Sequence, residues 1–475
     1  MRHATTIFYL VLVGLAIISQ GCNDDDAMGA LVSGKVINAF TSAPVANAQV
    51  AILGNGPVTY TDSKGNFNFT SGDLTSVNHE EIEVNGFSGV AVAISHEDYR
   101  PIEANVNYNQ QSTYKLAETT FPAYVYHPPV QLNDGINVTT LQDVDADIQL
   151  IQNGMDKLFR DDYQEIHSVL VYKDGQLIIE EYLFGNNDTI QFEDGVIVDK
   201  TPDPVQWSRT DVHYIASVNK ALTSTLVGIA LDQFSVPIDA KISGYLPDYA
   251  QYFNDPDKAA LTFEDCVTMT SGLQWDEWSD DDLALLWKSD DFADFVLDRM
   301  SFGPGFEWRY NSALPNLMIK CLDNMSGGNV RDWAHQNFYS RLGIEDYKWQ
   351  SQPDGYPEGA ARIYLRSRDM LKIGITYLNN GMWNGTQVVP ESWVNACYEV
   401  KESPSAGDYS YHFWLRSLGD VNYLSADGDG GNFINIFPEQ NMVMVVTQGN
   451  YLKWPLYVNQ VNDLTKNYIL PALEE

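Results

Sequence analysis

Ser217 and Lys220, three residues apart, directly precede an apolar run from Ala221 to Leu231. Because the apolar residues recur at helical spacing, the serine and the lysine are predicted to lie on one face at the start of a helix. A serine hydroxyl is a poor nucleophile unless a base lies within hydrogen-bond reach, and a lysine with apolar neighbours can be that base. The pair is therefore a candidate for nucleophilic catalysis. The alternative is a serine that only caps the helix, beside an exposed lysine.

A tyrosine further along the chain, Tyr310, is a candidate for proton transfer. It follows the turn residues Pro304 and Gly305 and a short aromatic stretch, and Asn311 and Ser312 stand directly behind it. A tyrosine near a lysine can give a proton to a reacting group or take one from it. The alternative is an ordinary core aromatic residue whose hydroxyl is satisfied locally.

A glycine-rich segment near the C-terminus, residues 426–432, precedes two apolar stretches, 433–437 and 442–447, that are predicted to be strands. Glycines at the edge of a sheet let a backbone approach a ligand closely. The alternative is a loop whose glycines serve turn geometry alone.

In their order along the chain, these residues resemble the serine β-lactamase-related family, which includes class C β-lactamases, D-alanyl-D-alanine carboxypeptidases, esterases and 6-aminohexanoate-dimer hydrolases. The resemblance begins near Ile166, continues to the C-terminus and is carried by residues 167–175, 217–220, 269–273, 310–312, 368–374 and 426–428. The chain is most similar to the 6-aminohexanoate-dimer hydrolase branch, through Glu180-Glu181-Tyr182, Gly228-Ile229-Ala230 and Tyr310-Asn311-Ser312.

The resemblance implies a role for each of these residues. Ser217 would be the acylated nucleophile, Lys220 its base, and Tyr310 the group that passes a proton to the leaving group. The backbone N–H groups of Ser217 and Asp429 would form the oxyanion hole. Four further residues would contact the substrate, namely Asn311, Ser312, Ala426 and Gly428. No cofactor and no metal ion is implied.

Two positions depart from the family pattern. Ala426 stands where the family usually has lysine or histidine, and Ser312 stands where an asparagine is usual. Without a cation at Ala426, a substrate carboxylate loses a charge-assisted partner, and Asp427 and Asp429 disfavour it further. The sequence therefore favours a small neutral ester or amide, or a peptide-like substrate without a carboxylate at that point.

Two alternative functions stay open. A D,D-carboxypeptidase or β-lactamase activity would need a substitute cation, which Arg362 or Arg366 could supply. A catalytically silent surface binding lipoprotein would use the same pocket for recognition alone.

Other classes of function are disfavoured by motif and by charge. The chain has no G-x-S-x-G, H-E-x-x-H or G-x-x-x-x-G-K-[ST] pattern, so the sequence does not favour an α/β-hydrolase, a zinc hydrolase or a P-loop protein. With 64 acidic and 28 basic residues, the formal charge of −36 would repel nucleic-acid phosphates. His213, four residues before Ser217, is interpreted as structural.

The N-terminus predicts export. Residues 1–21 have basic Arg2, an apolar core and the sequence Ser19-Gln20-Gly21 before Cys22, which resembles a bacterial lipoprotein signal peptide. Cys22 would then be the lipid anchor, followed by an acidic tether over 22–28, on the periplasmic or cell-surface side of the bacterial envelope. An ordinary secretory cleavage that leaves a free cysteine is the alternative. Three further cysteines, an odd number, imply no complete disulfide framework.

The remaining chain is predicted to be multidomain. Short alternating runs punctuated by turn residues over 29–118 predict an N-terminal all-β sandwich, which resembles the carboxypeptidase regulatory-like domain. Residues 119–135 are predicted to be a linker, and 136–475 the β-lactamase-related serine hydrolase domain. That domain is expected to be α+β, with a central antiparallel sheet flanked by helices and a helical lobe that includes 282–299 and 315–325.

Overall fold

A computed structural model of the chain describes residues 30–39, 41–75, 81–84, 87–119, 124–159, 162–187, 190–193, 196–200, 204–278 and 282–474. The predicted signal peptide, Cys22 and the acidic tether lie outside these residues. No helix within the described part of the chain is long and apolar enough to cross a membrane.

Seven antiparallel strands form the central sheet of the larger domain. Their order in space is Gln176–Tyr182, Ile166–Lys173, Met442–Gln448, Asn432–Phe437, Val421–Gly428, Phe413–Leu418 and Asp408–Ser410. The pairing of the second of these strands with the third joins an early hairpin to the end of the chain. The predicted α+β domain with its central antiparallel sheet is confirmed.

The central sheet is buried on both faces because its apolar side chains alternate between two cores. Val443 and Val445 pack on the side of the helix Val218–Gln233, whereas Met444 and Val446 pack on the opposite side. That second side is covered by the helices Ile148–Phe159 and Leu456–Leu464. The sheet is thus the middle of three layers.

The helix Val218–Gln233, which we call the central helix, is the element that carries the predicted serine and lysine. Every residue from Val218 to Leu231 is buried. The buried hydroxyls of Thr223 and Ser224 are satisfied by the carbonyl oxygens of Gly359 and Tyr411. The central helix lies between the sheet and a set of helices whose side chains complete the same core, and it contacts both.

The helical lobe differs from the prediction in two boundaries. The stretch 282–299 is divided into the helices Asp282–Lys288 and Phe292–Leu297, because the Asp291 carboxylate accepts the Ala293 and Asp294 N–H groups and starts a second helix. The stretch 315–325 lies within the helix Ala313–Ser326, whose start is two residues earlier than expected.

The other elements of this domain are short. Further α-helices are Pro256–Ala260, Phe263–Val267, Val330–Ala334, Ser367–Leu378, Glu391–Cys397 and Leu470–Ala472; 3₁₀-helices are Ile242–Tyr245, Pro247–Asn254 and Ser340–Leu342; π-helical turns are His335–Tyr339 and Thr465–Ile469. Small sheets pair Phe184–Asn186 with Pro204–Gln206, Ile190–Glu193 with Val196–Lys200, Met382–Trp383 with Thr386–Gln387, and Ile363–Leu365 with both His213–Tyr214 and Lys348–Trp349.

The N-terminal strands form two further sheets around one apolar core. Three strands pair in the order Asn66–Thr70, Ala30–Asn38, Gln111–Leu116; five pair as Val58–Tyr60, Gln49–Ile52, Phe87–His96, Glu81–Val84, with Tyr99–Asn107 also on Phe87–His96. A single-turn helix, Ser71–Thr75, accompanies them. Core residues come from both sheets, and Glu103 pairs with Arg209 of the larger domain at 2.9 Å. The resemblance of this region to a carboxypeptidase regulatory-like domain stays a prediction, as do the domain boundaries.

Candidate active site

Ser217 and Lys220 meet at the start of the central helix. Lys220 Nζ donates a hydrogen bond to Ser217 Oγ over 2.8 Å and lies 3.4 Å from the Ala360 carbonyl oxygen. The lysine is 2% exposed, so its amino group is shielded from water and lies beside two oxygen atoms. The structure thus brings the predicted nucleophile and base into direct contact.

A tight turn delivers the serine to this position. The strand His213–Tyr214 ends at a bend in which Ala216 has φ of 47°, in the left-handed region that costs a non-glycine residue about 1–2 kcal/mol. The N–H groups of Val218 and Lys220 bond three residues back, to Ile215 and Ser217. The turn is therefore tight, and it places Ser217 at the N-cap position, directly before the first residue of the helix.

The segment 426–429 lies against this turn. Its strand pairs with Phe413–Leu418 only as far as Ser425, but with Asn432–Phe437 as far as Gly428. An added Cβ at Gly428 would stand 2.2 Å from the Ile215 carbonyl oxygen, so only glycine permits this approach. The backbone of Asp429 therefore follows a residue that touches the turn before Ser217, whereas the Ala426 side chain is buried in the core.

Tyr310 lies beside the lysine, within a group of aromatic side chains. Lys220 Nζ is 4.8 Å from the centre of the Tyr310 ring. The Trp278 and Trp414 rings are nearly parallel to that ring, at centroid distances of 6.0 and 6.2 Å and interplanar angles of 17° and 18°. We call Trp278, Trp308, Tyr310, Tyr409 and Trp414 the aromatic cluster.

Asn311 and Ser312 are buried behind Tyr310. The Ser312 hydroxyl donates to the Glu277 carboxylate, and the Ser312 N–H donates to the same group over 3.0 Å. Asn311 Oδ1 accepts the Ala313 N–H at 2.8 Å. These contacts fix the segment that carries Tyr310, while the predicted contact of both side chains with substrate stays a prediction.

Two buried glutamates that the sequence did not single out support the site. Glu277 also accepts Trp275 Nε1–H over 2.7 Å, which ties the Tyr310 segment to the neighbouring loop. Glu358 accepts the N–H groups of Ala360 and Arg362, at 3.1 and 2.7 Å, and so shapes the loop whose Ala360 carbonyl faces Lys220. No local motif marks either glutamate, because each also bonds a distant side chain, Ser312 for Glu277 and Asn316 for Glu358.

The segment 426–429 has a charged neighbour that the sequence did not single out. Arg416, on the neighbouring strand, donates Nε–H to Asp427 over 2.9 Å. Burial opposes the charge of Arg416, but the Asp427 carboxylate outweighs it and raises the pKa of the guanidinium. A cation therefore lies beside the segment, on the neighbouring strand, and it is already paired with Asp427.

The other charged candidates have partners of their own. The Asp429 carboxylate accepts the Leu452 N–H at 3.0 Å and bonds the Tyr457 hydroxyl, which fastens the loop after the last strand. Arg366 pairs with Asp346, and the Arg362 guanidinium lies 4.7 Å over the Trp287 ring.

The histidines and cysteines near the site are buried. Burial lowers the pKa of His213 to about 3, and its ring stacks on Trp207 at 4.1 Å. Cys266, Cys321 and Cys397 are buried free thiols. The described residues contain no group of three or more His, Cys, Asp or Glu side chains placed to hold a metal ion.

Comparison with known proteins agrees with this geometry. The sequence profile of the β-lactamase family matches residues 155–455, which contain Ser217, Lys220, Tyr310 and the segment 426–429. A search of curated protein sequences gives no match.

Solved structures share the fold at low sequence identity. A candidate 6-aminohexanoate-dimer hydrolase from Bacillus anthracis has a TM-score of 0.56 at 16% identity, covering 73% of this chain and 90% of that one. A penicillin-binding protein homologue from Caulobacter crescentus has a TM-score of 0.53 at 12% identity, covering 68% and 97%. SurE, solved with D-Leu, has a TM-score of 0.50 at 17% identity, covering 69% and 75%. The chain therefore belongs to the β-lactamase family of serine hydrolases.

Proposed function

We propose that this protein hydrolyses a small neutral ester or amide through an acyl-enzyme on Ser217. The observation that carries the proposal is the 2.8 Å hydrogen bond between Lys220 Nζ and Ser217 Oγ in a buried setting. A serine needs such a partner to become a nucleophile, and a helix cap alone would not bury the lysine.

The proposed reaction assigns each step to a residue of this site. Ser217 Oγ attacks the carbonyl carbon while its proton passes to Lys220, and the backbone N–H groups of Ser217 and Asp429 stabilise the oxyanion. The bond to the leaving group breaks as that group receives a proton through Tyr310. Water then attacks the acyl-serine along the same route, and the acid is released with Ser217 restored.

The charges favour a neutral substrate. At the strand edge 426–429, Arg416 is bonded to Asp427 and the Asp429 carboxylate to a backbone N–H. A substrate carboxylate would have to displace Asp427 from Arg416. We expect this to weaken the binding free energy of an anionic substrate by about 2–4 kcal/mol relative to a neutral one. The 6-aminohexanoate-dimer hydrolase likeness supports an amide or ester; a β-lactamase or D,D-carboxypeptidase is the alternative.

The test is covalent labelling of the purified protein. A fluorophosphonate probe should add one adduct to the wild type at Ser217 and none to Ser217→Ala, whereas Ser392→Ala, a change at an exposed serine, should label normally. Hydrolysis of a p-nitrophenyl ester should follow the labelling and exceed that of a cephalosporin at least about 10²-fold in kcat/KM. An unlabelled wild type would support the silent binding protein, and equal hydrolysis of both substrates would contradict the neutral-substrate assignment.

We also propose that the protein is exported and anchored by a lipid on Cys22. The support is the N-terminal sequence alone: a basic start, an apolar core and a small residue before the cysteine. Cys22→Ser should move the protein from the membrane fraction to the soluble one. A variant that still sediments with membranes after a high-salt wash contradicts the proposal.

A further inference from the structure

Trp278 is the exposed member of the aromatic cluster. Its side chain is 78% exposed, whereas Tyr409 at the other side of the cluster is 1% exposed. Trp308, Tyr310 and Trp414 are half-buried, so the exposed indole extends a contiguous aromatic surface, the kind of surface that a ligand covers. The position of the indole, next to Tyr310, says which ligand that is.

We propose that Trp278 binds the leaving group of the substrate and selects a neutral leaving group with a flat aromatic face. The inference rests on the proposed function, because it takes Tyr310 as the residue that protonates the leaving group. The leaving atom must then lie within hydrogen-bond reach of the Tyr310 hydroxyl. Since the indole is nearly parallel to that ring at 6.0 Å, a group attached to the leaving atom passes along the indole.

Trp278 is held in place on its N-terminal side. Its N–H donates to Asp276 Oδ1 over 3.1 Å, and the preceding residue, Glu277, is fixed by Ser312 and Trp275. The exposed indole is therefore attached to the same support that positions Tyr310. A ligand ring that stacks there gains contact area against a side chain whose backbone is held in place.

The charges of the cluster favour a neutral ring over a cationic one. Aromatic faces attract cations. Two faces of the cluster already have one, because Arg416 lies 4.7 Å over the Trp414 ring and Lys220 Nζ lies 4.8 Å from the Tyr310 ring centre. A cationic leaving group would compete with Arg416 and Lys220 for the faces of these two rings, whereas a neutral ring would not.

The test compares two esters of one acid, 2-naphthyl acetate and phenyl acetate, whose leaving phenols have similar acidity. In the wild type, kcat/KM should be higher for the naphthyl ester. Trp278→Ala should lower the naphthyl-to-phenyl ratio of kcat/KM about 3- to 10-fold, the factor that an aromatic contact typically gives. Trp278→Phe should restore most of the ratio. Trp454→Ala removes another exposed tryptophan, 74% exposed in a different loop, and should leave the ratio unchanged.

The outcomes separate this inference from the proposed function. A ratio that Trp278→Ala does not change overturns the role of Trp278, even if Ser217→Ala is inactive. A wild type that is labelled at Ser217 but hydrolyses neither ester overturns the aromatic leaving group, and a wild type that is neither labelled nor active overturns the proposed function itself. A preference for 3-(trimethylammonio)phenyl acetate over 3-tert-butylphenyl acetate, lost in Trp278→Ala, would replace the neutral ring by a cationic one.

Discussion

Gly428→Ala is a test of the oxyanion hole that leaves every catalytic side chain in place. The new Cβ would stand 2.2 Å from the Ile215 carbonyl oxygen and 3.2 Å from Val218 Cγ2. Because close carbon–oxygen contacts in proteins are about 3.3 Å or longer, the strand and the turn must separate by about 1 Å. Ile215 lies two residues before Ser217, and Gly428 lies one residue before Asp429. The separation therefore increases the distance between the two proposed N–H donors.

The expected loss follows from that distance. A donor to the oxyanion must lie about 2.7–3.1 Å from it, so a shift of about 1 Å removes one donor, which typically lowers kcat about 10²–10³-fold. The loss should appear in kcat rather than in KM, because the contact forms in the transition state. The assay is kcat and KM on a p-nitrophenyl ester, together with the rate of fluorophosphonate labelling at Ser217.

Two glycine variants serve as matched controls. Gly244→Ala adds a Cβ with nothing within 4 Å and should be silent. Gly228→Ala places a Cβ 2.3 Å from the Trp393 ring and should lower the free energy of unfolding while leaving kcat close to wild type. If Gly428→Ala keeps kcat within about 3-fold of the wild type, the strand edge is not part of the oxyanion hole and the reasoning fails.

Three further predictions concern single side chains. Lys220→Ala and Tyr310→Phe should each lower kcat on the order of 10²-fold, and the double variant should lose far less than the product of the two; additive losses in steady-state kinetics would contradict a shared proton path. Ser312→Ala removes a donor from buried Glu277 and should lower the free energy of unfolding by about 1–3 kcal/mol in urea; an unchanged midpoint would show that the contact is not stabilising. His213 is neutral when folded because burial lowers its pKa to about 3, so its contribution to stability is full above the unfolded pKa of 6.5 and is lost as pH falls from there toward 3. Between pH 7.5 and 5 the loss should be about 2 kcal/mol in urea denaturation and should shrink in His213→Phe; equal pH dependence of both proteins would refute it.

The sequence predicted those parts of the site that depend on local pattern. Ser217 is the N-cap of the central helix and Lys220 lies in its first turn, so spacing alone brings them together. Four strands of the sheet could also be predicted, because each is a short, mostly apolar stretch bounded by turn residues. They are the hairpin strands 166–173 and 176–182 and the strands 432–437 and 442–448.

The missed residues depend on tertiary neighbours. Arg416 reaches Asp427 across a strand ladder, and Glu277 reaches Ser312 between two loops. In each case the two residues are brought together by the tertiary fold, and no helical or strand periodicity in the sequence predicts their contact. The aromatic cluster combines two loops and two strands for the same reason. The division of the stretch 282–299 depended on one capping aspartate, Asp291.

The pairing of Ile166–Lys173 with Met442–Gln448 has a consequence for how this chain reaches its native state. The strand that completes the middle of the sheet is made almost last, so an early hairpin has an unpaired apolar edge during most of synthesis. Contacts of such long sequence separation form slowly, and an open apolar edge is a site of aggregation. The serine and lysine can adopt their helix early, but the strand edge facing them exists only once the C-terminal strands have docked. Activity therefore reports completion of the whole domain, and a chain that ends before the last strand would carry the catalytic pair without a site.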